Sequence, residues 1–188
     1  MQYILDFDSK HTITHYLDWL NQADCKFSFQ SEKPWRNDPS LGVVLSLEES
    51  RNSLLSDFFC CGPLFIVSPK LKALLEPLSA SLEFIPTCIM CGVNGSYEFY
   101  TLHIMAFLDA IDPEQSTIAG MKFNRYAGIT NLVLDQTLIE GSDMFLLKNT
   151  LHLIVVISEK ARNLFEANQI KGMKIQPLSK YEEDTYGI

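Results

Sequence analysis

Two stretches of this chain read as the same small unit, and their presence confines it to a mixed α+β fold. Leu64-Phe65-Ile66-Val67 is a compact apolar run suited to a buried strand. Ser68 follows as a helix N-cap and Pro69 as the first helical residue, where its fixed φ suits the helix and its missing N–H costs nothing. Leu71, Leu74, Leu75 and Leu78 then form one helical stripe, and Leu82 to Pro86 alternates like a strand. Ninety residues later the plan recurs: Ile154 to Ile157, Ser158 as cap, Glu159 in the first turn, a stripe of Ala161, Leu164 and Phe165, and Met173 to Pro177. Ser68 aligns with Ser158, Lys70 with Lys160, Leu74 with Leu164 and Glu76 with Glu166; with one inserted residue, Pro86 aligns with Pro177. Such a chain is expected to build mixed β-sheet around a pseudo-repeated strand–helix–strand unit.

The remaining segments fill in around these units. Ile13, Tyr16, Leu17 and Leu20 lie at helical spacing, so a helix is expected over about His11–Asn21. Residues 31–40 hold two prolines and several turn formers and read as an irregular loop. Val43–Leu47 is a strand candidate, and Ser50–Phe59 is ambiguous between helix and loop. Thr87–Cys91 and Tyr97–Ile104 are expected as strands around Asn94-Gly95, a strong hairpin signal because both residues tolerate positive φ. Residues 117–131 read as a long loop, while Leu132–Leu134 and Met144–Leu147 read as strands. The polar tail, 181–188, is expected to be mobile. The reading is one domain over residues 1–188; its alternative is two lobes divided near residue 60 or 115.

Composition narrows the class. At 188 residues and 47% hydrophobic, the chain can build a core without disulfides or metal. Its longest apolar runs are too short to span a bilayer, and acidic Asp6 and Asp8 sit where a signal peptide needs bases, so a cytoplasmic protein is expected. Five cysteines (Cys25, Cys60, Cys61, Cys88, Cys91) then imply free thiols. Cys88 and Cys91 have C-x-x-C spacing, but in a strand positions three apart face opposite sides, so no redox or zinc site is expected. Twenty-three acids against fifteen Lys and Arg give −8, spread evenly along the chain. That field disfavours nucleic acid and favours basic partners, although solubility alone is a common reason for it.

No catalytic constellation is found. The chain lacks a nucleophile elbow, a phosphate-binding loop, a dinucleotide fingerprint and a zinc-protease helix motif. His11, His15 and Asp18 have metal-like spacing on the expected first helix, but they lie opposite its apolar stripe, where a solvated polar face is the simpler reading. His103 and His152 lie in or at apolar runs and read as structural. No cofactor is expected.

An ordered set of short motifs nonetheless carries a family likeness. It runs Leu55-Ser56-Asp57-Phe58, Gly62-Pro63-Leu64-Phe65-Ile66-Val67-Ser68-Pro69-Lys70, Leu82-Glu83-Phe84-Ile85-Pro86, Tyr97-Glu98-Phe99-Tyr100-Thr101-Leu102-His103 and Leu108-Asp109-Ala110-Ile111-Asp112. Leu132-Val133-Leu134-Asp135, Met144-Phe145-Leu146-Leu147-Lys148, Val156-Ile157-Ser158-Glu159-Lys160 and Gly172-Met173-Lys174-Ile175-Gln176-Pro177 continue it. Over about residues 55–178 the chain resembles the bacterial immunity-protein family 11, whose members occur beside polymorphic toxins. The resemblance implies a non-enzymatic antitoxin that binds a cognate toxin domain in the cytosol and covers its active or adjacent surface, with no catalytic residues to carry over. A basic toxin, such as a nuclease, fits the −8 charge.

Tight binding needs a desolvated anchor inside a polar rim. Trp35, in its proline-flanked loop, is the aromatic candidate of most interest; Trp19, Tyr181 and Tyr186 are others. Glu140 and Asp143, flanking Gly141, are expected as exposed acids on a loop. The competing classes are a structural module of a secretion apparatus, which would present a large apolar face, and a small enzyme built from scattered acids and histidines, which would enclose buried carboxylates or His103.

Overall fold

A computed structural model describes residues 1–7, 16–23, 25, 31–35, 42–48, 55–79, 81–92 and 95–182. They form thirteen strands and two α-helices: β1 Gln2–Phe7, β2 Leu17–Trp19, β3 Val43–Leu47, β4 Phe58–Cys61, β5 Leu64–Val67, α1 Pro69–Leu75, β6 Leu82–Cys91, β7 Ser96–Ile104, β8 Phe107–Leu108, β9 Thr117–Lys122, β10 Arg125–Thr130, β11 Met144–Leu147, β12 Val155–Ser158, α2 Glu159–Ala167 and β13 Met173–Pro177, followed by a short 3-10 helix, Leu178–Lys180. The class is α+β with mixed sheets, because most neighbours are antiparallel while β3–β6 and β8–β11 run parallel.

The residues group into two compact units. One comprises Met1–Asp6, Ala106–Leu164 and Ile175 onward; the other comprises Phe7–Met105 and Phe165–Lys174. The second unit carries a six-stranded sheet, ordered β2-β3-β6-β7-β5-β4. Its strands alternate as a half-buried sheet should: Val43, Leu45 and Leu47 are buried, as are Ile85, Thr87, Ile89 and Cys91, while Pro86, Cys88 and Met90 face out. Phe59, Leu64, Ile66 and Phe99 complete that core. The first unit holds the sheet ordered β13-β1-β12-β11-β8, plus the β9–β10 hairpin, over a core including Ile4, Ile129, Phe145 and Val156.

Both helix caps are built alike. Ser68 Oγ accepts the Leu71 N–H and Ser158 Oγ accepts the Ala161 N–H, each at 3.1 Å. Each serine in turn donates to an aspartate just before an antiparallel strand pair: Ser68 Oγ to Asp57 Oδ1 at 2.7 Å, and Ser158 Oγ to Asp143 Oδ1 at 2.6 Å. The serine N–H groups bond those same aspartates' carbonyls, at 2.9 Å in both cases. In each sheet one strand is inserted between the two that flank the helix, β7 in one and β1 in the other.

Several elements differ from expectation. Leu17–Trp19 is a strand paired with β3, not part of a helix; residues 8–15, including His11 and His15, lie outside the described residues. Asn21 fixes this strand pair: its Oδ1 accepts the Val44 and Trp19 ring N–H groups, and its Nδ2 donates to Gly42 O. Leu82–Pro86 and Thr87–Cys91 form a single ten-residue strand. Pro86 is tolerated there because β3 pairs only from Thr87 onward, leaving Pro86 flanked by β7 alone. Residues 117–131 are not a long loop but mainly a hairpin, closed by Phe123 and Asn124 at φ +53° and +59°. Leu132–Leu134 is reduced to a single bridge, Ile111 to Leu134.

Candidate functional site

The second unit contains a buried ionisable pair. Glu83 and His103 are direct partners across β6 and β7, and each is about 2% exposed or less. His103 Nδ1 lies 3.0 Å from Glu83 Oε2, and its Nε2 lies 2.8 Å from Ser31 O. A carbonyl oxygen only accepts, so Nε2 carries a proton. The Nδ1···Oε2 contact then takes one proton between its two atoms. Glu83 Oε2 also accepts the Trp35 N–H at 2.7 Å, and the Trp35 ring stacks on His103 with centroids 3.7 Å apart and planes within 7°. Below it, Thr87 and Thr101 hydroxyls bond at 2.8 Å, so this polar strip is satisfied internally.

Chemically this is a clamp. Both ring nitrogens of His103 are engaged and Trp35 covers one ring face, so the pair pins residues 31–35 onto the sheet. Trp35 is therefore folded back and only 8% exposed. Sequence reading placed His103 as structural but missed Glu83, whose apolar neighbours disguise it as one polar step in a strand.

The other three candidates lie in the first unit. Asp143 is occupied by the α2 cap: besides Ser158 it accepts Lys160 Nζ at 2.6 Å. Partial burial pushes its carboxyl up, but the Lys160 and Ser158 hydrogen bonds and the Lys160 charge outweigh this, and it sits below its ordinary value. Tyr181 is half-buried against the core of this unit. Glu140 is exposed, beside Gly141 at φ +75°.

Glu140 belongs to a laced, acidic surface. The segments around residues 109–116 and 131–143 are joined by Asp112 N–H to Val133 O at 2.9 Å and Asp135 N–H to Ala110 O at 2.8 Å. Ser116 Oγ adds two more bonds to Val133. Asp109, Glu114, Asp135 and Glu140, in these two segments, are exposed. Asp135 is held below its ordinary value by side-chain and backbone hydrogen bonds from Thr137.

Cys60, Cys61 and Cys91 are buried, Cys25 is partly buried and Cys88 is exposed, and all five are free thiols. Burial, then the nearby charge of Asp18, pushes the Cys61 thiol up to about 11. Among the described residues, no group of three His, Cys, Asp or Glu side chains is placed to hold a metal. No helix among them is long and apolar enough to cross a membrane.

The fold thus combines mixed sheets, a buried Glu83–His103 pair that holds residues 31–35, and exposed acids on hydrogen-bonded turns. Residues 7–180 match the model of an immunity protein family (Imm11), and the chain belongs to that family. The match includes the N-terminal part as well as the stretch from 55 to 178 that carries the sequence likeness. A comparison with curated proteins gives no match.

Proposed function

We propose that this protein neutralises a cognate bacterial toxin by binding it in the cytoplasm of the producing cell, without catalysis, and covering its active or adjacent surface. The observation that carries this reading is family membership over residues 7–180, a span that includes parts of both compact units. The functional module is accordingly the whole chain, 1–188, rather than either unit alone. The acidic turns support a basic toxin surface as partner, because opposite fields speed encounter and orient it. Glu140 is a contact on that surface; Asp143, Tyr181 and Trp35 act one step back, holding α2, the C-terminal segment and the 31–35 segment in place.

The test is co-expression with the adjacent toxin gene. Toxin alone should kill, the pair should grow, and the two proteins should co-purify in equal amounts. Equal killing with and without this chain would contradict the reading.

A further inference from the structure

The tip of hairpin β9–β10 exposes apolar side chains that lie outside the cores described above. Phe123 is 80% exposed and Met121 64% exposed, so two large apolar side chains stand in water within three residues. Phe123 also adopts φ +53°, followed by Asn124 at +59°. A two-residue hairpin loop with both φ values positive favours Asn, Asp or Gly, and a phenylalanine at its first position is sterically disfavoured. Strain coupled to an exposed aromatic is the pattern of a recognition residue, because the fold gains from neither.

The base of the hairpin is firmly held. Ala127 and Ile129 are buried, the Tyr126 N–H donates to Asn149 O at 2.6 Å, and Tyr126 O accepts the Leu151 N–H at 3.1 Å. Gly128, at φ +65°, lets β10 pass β9 closely, since a Cβ there would lie 2.7 Å from the Ala119 Cβ. The tip is thus presented pre-organised, which lowers the entropic cost of inserting it.

Charge names the chemistry of the recess it fits. Residues 106–143 carry six acids and only two bases, Lys122 and Arg125, and these two flank the turn. Lys122 Nζ lies 5.8 Å from the centroid of the Phe123 ring. The Lys122 ammonium beside the exposed Phe123 ring thus makes the tip a cationic, apolar point within an acidic segment. We propose that Met121–Arg125 is the anchor this chain inserts into its toxin, in a recess with an apolar floor and a carboxylate rim, while the acidic turns meet basic surface around it. This rests on the immunity reading. A lipid surface is the weaker occupant, because a −8 chain is repelled by anionic membranes.

The experiment measures the Kd of the purified chain for the catalytically disabled product of the neighbouring toxin gene. Phe123→Asn removes the ring and suits positive φ, so it should keep or raise Tm while weakening binding at least 100-fold. Lys122→Glu should weaken it about tenfold or more. Leu20→Asn, which alters a 56% exposed apolar residue in the other unit, should change it less than threefold. A Phe123→Asn Kd within threefold of wild type, or an equal loss in Leu20→Asn, would overturn the tip alone. No binding by wild type would overturn the immunity reading and the tip together. Sedimentation of wild type, but not Phe123→Asn, with phosphatidylglycerol vesicles at unchanged toxin affinity would reassign the tip to lipid.

Discussion

Glu83 and His103 show how one strand pair settles the fate of a loop 50 residues away. Removing His103 leaves a buried carboxyl and the Ser31 carbonyl without their partner, so His103→Ala should cost about 3–5 kcal/mol in urea unfolding. Glu83→Gln puts either an acceptor or a donor, not both, where Oε2 meets the Trp35 N–H and His103 Nδ1, so it keeps two of the clamp's three bonds and should cost less than His103→Ala. Equal costs would contradict this and show that the carboxyl itself is indispensable to the clamp. Cysteine reactivity is a second residue-scale reading: exposed Cys88 should alkylate at pH 8 in the folded protein, while Cys61, buried and pushed up to about 11, should label only on unfolding, as mass spectrometry would show. The clamp was only half legible in the sequence. A two-residue Asn94-Gly95 loop would pair Val93 with Ser96, whereas the observed register pairs Met90 with Ser96; that three-residue difference is what sets Glu83 opposite His103. Trp35 stacks across a separation of 68 residues, which no local pattern encodes.

At the scale of elements, what local chemistry controls was legible and what pairing controls was not. The two serine caps and the helices they start appeared where expected, although α1 ends at Leu75, short of Leu78, because caps, proline position and 3.6-residue spacing act within a few residues. β2 was hidden because Leu17 and Trp19 satisfy a strand's alternation as well as Leu17 and Leu20 suit a helix, and only β3 decides between them. The β9–β10 turn was hidden because Phe123 occupies a position where Asn or Gly would announce it. The α2 cap yields two predictions. Ser158→Ala should lower stability by about 1 kcal/mol in urea unfolding. Asp143 is held below its ordinary value of 3.8, so its contribution is present above that pH and is lost as pH falls through its lower folded value. Wild type and Asp143→Asn should therefore differ in Tm at pH 6 and converge as pH falls below 4; a constant difference would contradict this sign. Gly172 sits at φ +88°, and a Cβ there would lie 2.1 Å from Phe58 O, so Gly172→Ala should cost about 2–3 kcal/mol.

For the whole molecule, family membership and charge carry the account, and both were visible before any coordinates. Family membership followed from ordered motifs spread along the chain; the exposure of Phe123 and the burial of Trp35 did not, because each depends on strand pairing and packing within its own unit. The −8 charge predicts that association with a basic toxin slows as salt rises, with dissociation much less affected, in stopped-flow or surface-based kinetics. The most direct test of neutralisation by binding is to express the neighbouring toxin with and without this chain and purify what is held together at moderate salt. The account predicts survival of the co-expressing cells and a stoichiometric complex. Survival without a complex, or death despite this chain's full expression, would contradict it.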